Sequence, residues 1–298
     1  FMNADLGNSS SGGWSDFTVC ADDKSPSVVD MYNSYILFKN LCKNLPKNEM
    51  IKRGWIEGRN DLLSLSDFYK NIYSEKGSKL FRKSNTANDS LISLWLSKVK
   101  SSAQIDVMGG KFPAFEGLSK EDLKEISRLS VDVDVIKKLP SILSKRGVVL
   151  IYSRAFPSMK LDGTVFKLES GNPVVGMSFR FSRLDNFWFT LMHELAHIHL
   201  HMDLLSEPIV EDLEVDVGSE IEVAANRLAK NSFVDRVTWR NCEPKYDKAI
   251  KAIEKLSEEV GIHKSIIAGM LRKETGDFAA YSGIVNEINA RDLVFSDD

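Results

Sequence analysis

The stretch Phe187-Trp188-Phe189-Thr190-Leu191-Met192-His193-Glu194-Leu195-Ala196-His197-Ile198-His199-Leu200-His201 decides the fold. Its apolar spacing predicts a helix over 187–202, and the density of large side chains before His193 predicts that the helix is largely buried. The chain has five histidines, and four of them fall within nine residues here. His193 and His197 are four apart, so a helix puts them on one face. Two imidazoles at that spacing suit one zinc ion, and Glu194 beside the first can reach a water on that ion. Zinc lowers the pKa of such a water toward ~7, and Glu194 is then placed to take its proton.

The third ligand must come from another element. His201 lies eight residues past His193, about 12 Å along a straight helix, too far to close the same tetrahedron. Leu200 and Asp203 stand where a metzincin needs Gly and His, so that subclass is excluded. A helix is expected over 220–231, with Ser219 as its cap. It offers Glu222, 25 residues after His197, with Glu220 as the competing ligand. Glu222 also suits a capping box with Ser219. Asn226 lies one turn on, where an amide can orient a ligand imidazole, and Ala224 and Ala225 let two helices approach. His199 faces away from the pair and is expected to be structural. His201, one turn past His197, can line the cleft. His263 has no partner at ligand spacing and is expected on the surface.

Around this core the sequence divides. Residues 1–27, rich in Ser, Gly, Asn and Asp, are expected to form a flexible arm. Residues 28–145 are expected to form a helical, partly basic domain. Its helices fall over 28–45, 60–73, 88–102, one capped by Ser119 with Asp122 at its third position, and 131–145, interrupted by Pro140. Residues 146–240 are expected to form the metal-bearing domain. In it, strands over 148–152, 163–168 and 173–181, with Gly171-Asn172 as a turn, suggest an antiparallel meander whose edge accepts a peptide strand. Residues 241–298 are expected to be helical over 246–260, 264–273 and 281–289, packed on that domain. The fold class is α+β and mostly helical.

Composition narrows the function further. The hydrophobic share of 43% and charged share of 27% are those of a globular chain. No apolar run spans a bilayer, and the N-terminal residues have neither the basic start nor the apolar run of a secretory signal. Cys20, Cys42 and Cys242 form no CxxC pair, so a reducing cytoplasm is expected. Net charge is −3, yet residues 39–100 hold 13 Lys+Arg against six Asp+Glu. Tyr69, Lys70, Tyr73, Lys76, Lys79, Phe81, Arg82 and Lys83 interleave aromatic and basic residues there. That pattern suits nucleic acid, or the solvated face of ordinary helices.

The run from Phe179 through Arg183-Leu184-Asp185-Asn186 into His193, followed by Glu222-Val223-Ala224-Ala225-Asn226-Arg227, resembles the ImmA/IrrE family of metallo-endopeptidases. Met50 to Ile56, Leu80 to Ser84, Leu94-Trp95-Leu96 and Gly261 to Gly269 resemble, more closely, the ImmA-type domain of HigA-like antitoxin regulators. The resemblance implies a zincin-like domain with a small antiparallel sheet packed on the HExxH helix. It implies Zn2+ held by His193, His197 and Glu222, with Glu194 as the base. It also implies a protein substrate, a repressor or other regulator encoded nearby, whose cleavage frees stress, mobile-element or phage-defence genes. The HigA-like relatives carry an N-terminal helix-turn-helix, for which residues 1–27 are too few. The alternative is a regulatory module, antitoxin-like or nucleic-acid-sensing, that keeps the zincin fold as a scaffold. An intact Glu194 favours the enzyme, since a purely structural site needs no general base.

Overall fold

The computed structural model describes residues 28–73, 87–110, 112–206, 208–209 and 220–295. The arm, the acidic loop after Ser206, Ser219 and most of the aromatic-basic stretch from Tyr73 to Lys83 lie outside the described residues. The described residues fall into two compact units, one of residues 28–40 and one of the described residues from 41 onward. The helices are α1 (Val28–Asn44), α2 (Lys47–Lys52), α3 (Leu62–Tyr73), α4 (Ala87–Gly109), α5 (Lys120–Arg128), α6 (Leu139–Ser144), α7 (Leu184–His201), α8 (Glu220–Phe233), α9 (Arg236–Asn241), α10 (Ile250–Val260), α11 (Lys264–Thr275), α12 (Ser282–Val285) and α13 (Ala290–Phe295). The strands are β1 (Val149–Tyr152), β2 (Gly163–Lys167) and β3 (Pro173–Met177). The architecture is α+β, and no described helix is long and apolar enough to cross a membrane.

The sheet order is β1-β3-β2. β2 and β3 form the expected antiparallel hairpin, with Val165 opposite Val175. Its turn places Gly171 at φ 90°, and the Leu168 N–H donates to the Asn172 carbonyl at 3.0 Å. The buried Asn172 side chain donates to the carbonyls of Gly147 (2.8 Å) and Pro113 (3.0 Å). β1, however, runs parallel to β3, with Leu150 opposite Val175. The sheet is therefore mixed, and the antiparallel expectation holds for one of its two pairings. Residues 153–162 carry the chain from β1 to β2 on the far side of β3.

The outer edge of β2 is also taken. Ile209 bridges to Val165, and the Lys167 N–H donates to the Leu205 carbonyl at 2.7 Å. A peptide strand cannot add at those positions without displacing residues 205–209.

Each face of the sheet packs on a helix. Leu150, Val165, Val175 and Met177 join Leu184, Trp188, Leu191 and Leu195 of α7 in the main core. The opposite face meets α4: a Cβ on Gly176 would lie 3.0 Å from both the Trp95 ring and Val99. Trp95 is fully buried, and its indole N–H donates to the Ser153 carbonyl at 2.9 Å. Arg53, just past α2, donates to the carbonyls of Arg154 (2.7 Å) and Ala155 (2.9 Å) and stacks over Phe156. Two of the sequence's tryptophan- and arginine-bearing motifs thus fasten the exit of β1.

α5 carries the expected capping box. Ser119 accepts from the Asp122 N–H, and Asp122 accepts from the Ser119 N–H at 2.8 Å. α4 runs seven residues beyond its expected end. Pro140 starts α6 rather than interrupting a longer helix, as proline's fixed φ favours at the first turn. Of the expected helix over 281–289 only the four residues of α12 form, with Tyr281 at φ 53° before them, and α13 begins at Ala290.

Candidate metal centre

α7 and α8 build the site. α7 is enclosed along most of its length: 12 of its residues are buried, among them His193, Glu194 and His197. Burial of three polar side chains in one helix is costly unless they find partners. α8 packs on α7 through Ala225 and Ala229, both buried, so the small residues do let the helices approach. Ala224 is only half-buried.

The packing brings three donor groups together. His193 Nε2 lies 3.0 Å from His197 Nε2. Glu222 Oε2 lies 3.2 Å from His193 Nε2, and Oε1 lies 3.4 Å from His197 Nε2. Hydrogen bonds with His193 and His197 hold the Glu222 carboxyl far below the usual carboxylate range, against the upward push of burial. Glu222 therefore stays ionised. Of the two acids at the start of α8, Glu222 joins the histidines and Glu220 is exposed.

These spacings fit a metal ion. Ligand atoms at about 2.0–2.1 Å from a tetrahedral centre are separated by roughly 3.3 Å, and the three observed separations span 3.0–3.4 Å. Two neutral imidazoles and one carboxylate suit a divalent cation of intermediate softness. They also leave a coordination position open.

The remaining histidines divide as their helix faces dictate. His201 Nδ1 sits 3.1 Å from His197 Nδ1. When Nε2 of His197 holds an ion, Nδ1 is the atom left to carry the ring proton and to donate to His201, which would fix the ring. Burial, then the neighbouring His197, pushes His201 below the usual imidazole range, which suits an acceptor. The orienting contact expected from Asn226 thus falls to His201. Asn226 is exposed on the far side of α8, and no hydrogen bond joins it to either ligand histidine among the described residues. His199 donates from Nδ1 to the Leu118 carbonyl at 2.5 Å, a structural contact. His263 is half-buried and caps α11, accepting from the Ser265 N–H at 3.2 Å.

Two glycines to which the sequence assigns no role at the site set the position of α7. A Cβ on Gly163, at the start of β2, would lie 2.5 Å from Glu194 Oε1 and 2.6 Å from Thr190 Cγ2. Only a hydrogen fits between the strand and the buried Glu194. A Cβ on Gly269 of α11 would lie 2.5 Å from Asp185 Oδ2. Asp185 is itself buried and held by the Arg183 guanidinium at 2.9 and 3.0 Å. The sequence signal for Gly163 is a glycine opening a strand, where close backbone approach is a standing explanation.

Residues 144–272 match the model of the Peptidase_M78 family, described as the IrrE N-terminal-like domain. The matched span contains the sheet, α7, α8 and every donor described above. The chain matches no protein in the curated collection.

Proposed function

We propose, from the match of residues 144–272 to the IrrE N-terminal-like Peptidase_M78 model, that the chain is a zinc-dependent endopeptidase acting on another protein. The observation that carries the reading is the convergence of His193, His197 and Glu222 beside a buried Glu194 on the same helix. His193, His197 and Glu222 would hold the ion. Bound there, zinc would supply Lewis-acid polarisation of water and of a peptide carbonyl. Glu194 takes the proton of the attacking water on its carboxylate and returns it to the leaving amine. His201 keeps the His197 ring oriented, and Gly163 keeps the strand close enough to confine Glu194.

The substrate we favour is a regulatory protein, a transcriptional repressor above all, because the family resemblance points to regulators and a covered β2 edge disfavours indiscriminate strand capture. Cutting such a repressor frees the genes it holds for stress response, mobile elements or phage defence. The test is a comparison of new protein N-termini in cells making the wild type or Glu194→Gln. Cleavage of a DNA-binding regulator is expected in the first and absent in the second. The same cleavage in both, or cleavage confined to proteins without a regulatory role, contradicts the proposal.

A further inference from the structure

The side of α8 turned away from the histidines lines a cavity of about 820 Å³ between α8, α9 and α11. Six cationic residues reach it from separate elements: Arg227 and Lys230 on α8, Arg236 and Arg240 on α9, Lys245 in the turn that follows, and Lys273 on α11. Glu274 is the one acid among its lining residues. That acid is committed. Lys245 approaches it at 2.6 Å and Lys230 at 3.3 Å, and the Trp239 indole N–H donates to it at 2.6 Å. Burial raises its pKa, but these three hydrogen bonds bring it down to about 2. Lys230 and Lys245 also lie over the Trp239 ring, 5.2 and 5.0 Å from its centroid.

Arg227, Arg236, Arg240 and Lys273 are left with no carboxylate at ion-pair distance among the described residues. Four cations with no counter-charge among the described residues, around one concavity in a chain of net charge −3, concentrate a positive field there. Val234 and Met270, both buried, give the cavity an apolar floor. Its volume is that of a small-molecule site rather than a macromolecular groove. Three of the four free cations are arginines, whose planar forks match phosphate oxygens in pairs.

We propose that this cavity binds a small phosphorylated anion of nucleotide type: two or more phosphate charges on the arginines, with an apolar or aromatic body on the floor. The site is separate from the histidine cluster but shares α8 with it, since Val223 and Asn226 of its wall flank the turn that carries Glu222.

The test is equilibrium binding to the full chain, with magnesium-saturated ATP as the probe so that free nucleotide does not strip the metal centre. Adenosine and a single-stranded DNA oligonucleotide serve as comparisons. ATP is expected to bind at micromolar concentration and adenosine at least tenfold more weakly. Arg227→Glu with Arg240→Glu, both at exposed positions, should weaken ATP by a factor of ten or more at unchanged melting temperature. Lys273→Glu, on a third element, should weaken it independently, and Glu222→Ala should leave it unchanged. No ATP binding at millimolar concentration, or an affinity indifferent to these charge reversals, overturns the proposal. Loss of ATP binding in Glu222→Ala alone would move the ligand to the metal centre and also overturn it. So would tight binding of the oligonucleotide with none of ATP.

Discussion

α7 and α8 supply one candidate metal centre between them but are held in different ways. α7 is buried on nearly every side, with Gly163 of β2 pressed against one flank and Gly269 of α11 against another. α8 has only four buried residues, all on the stripe that meets α7 and its neighbours, and its other side opens onto a cationic cavity. The helix that carries His193, Glu194 and His197 is the fixed half of the site. The helix that carries Glu222 is placed by one face alone. A zincin-like site therefore needs the core for its motif but only a pair of alanines for its third donor.

The difference should appear first in stability. Leu195→Ala, at a fully buried position of α7, should cost about 2–5 kcal/mol in denaturant unfolding. Val223→Ala, at a position 43% exposed on α8, should stay within ~0.5 kcal/mol. Equal costs would break the contrast between the helices.

A sharper probe is Gly163→Ala, which forces a methyl to within 2.5 Å of Glu194 Oε1. Overpacking of this kind costs about 1–3 kcal/mol, and cleavage should fall further than stability because the shift lands on Glu194, the proton carrier of the proposed mechanism. Gly283→Ala, where a Cβ meets nothing within 4 Å, should be neutral or slightly stabilising. If the two variants behave alike in unfolding and in cleavage, Gly163 has no special role.

α5 packs on both helices, so loosening it should affect both together. Ser119→Ala removes the cap that accepts from Asp122 and should cost about 1 kcal/mol, with zinc affinity little changed. A large loss of metal in this variant would mean that α5, not the α7–α8 contact, sets the site.

The smallest effect is expected from acid. Glu274 has its folded pKa at about 2, below its ordinary value. Its ionised form is thus favoured by folding, and its contribution is complete above pH ~4.5 and lost as pH falls toward 2. Its side chain is 40% exposed, so screening keeps the contribution small. Wild type should be slightly more stable than Glu274→Gln at pH 6, and the gap should close by pH ~2. A gap that widens on acidification would reverse the assigned sign.

Much of this was legible in the sequence because it rests on local periodicity. The HExxH helix, the capping box at Ser119 and Asp122, and the Gly171-Asn172 turn each follow from neighbours a few residues apart. The union of His193, His197 and Glu222 followed from one spacing and one helix pattern. What the sequence withheld is non-local. The parallel β1–β3 pairing depends on a crossover over residues 153–162, and the local turn at Pro157-Ser158 does not say which strand lies beside β1. The exchange of Asn226 for His201 depends on how far α8 is rotated about its axis, which its buried alanines fix. Gly163 matters only because β2 meets α7 across the core. The cationic cavity gathers residues spread from 227 to 273, none of which forms a run.

The most direct test of the central claim is the metal content of protein purified without chelators, for wild type and for Glu222→Ala. About one zinc per wild-type chain, lost or greatly weakened in the variant, is the result expected for a His₂Glu centre. No bound metal in the wild type even when zinc is supplied, or zinc retained equally by Glu222→Ala, would contradict the assignment of His193, His197 and Glu222 as its ligands.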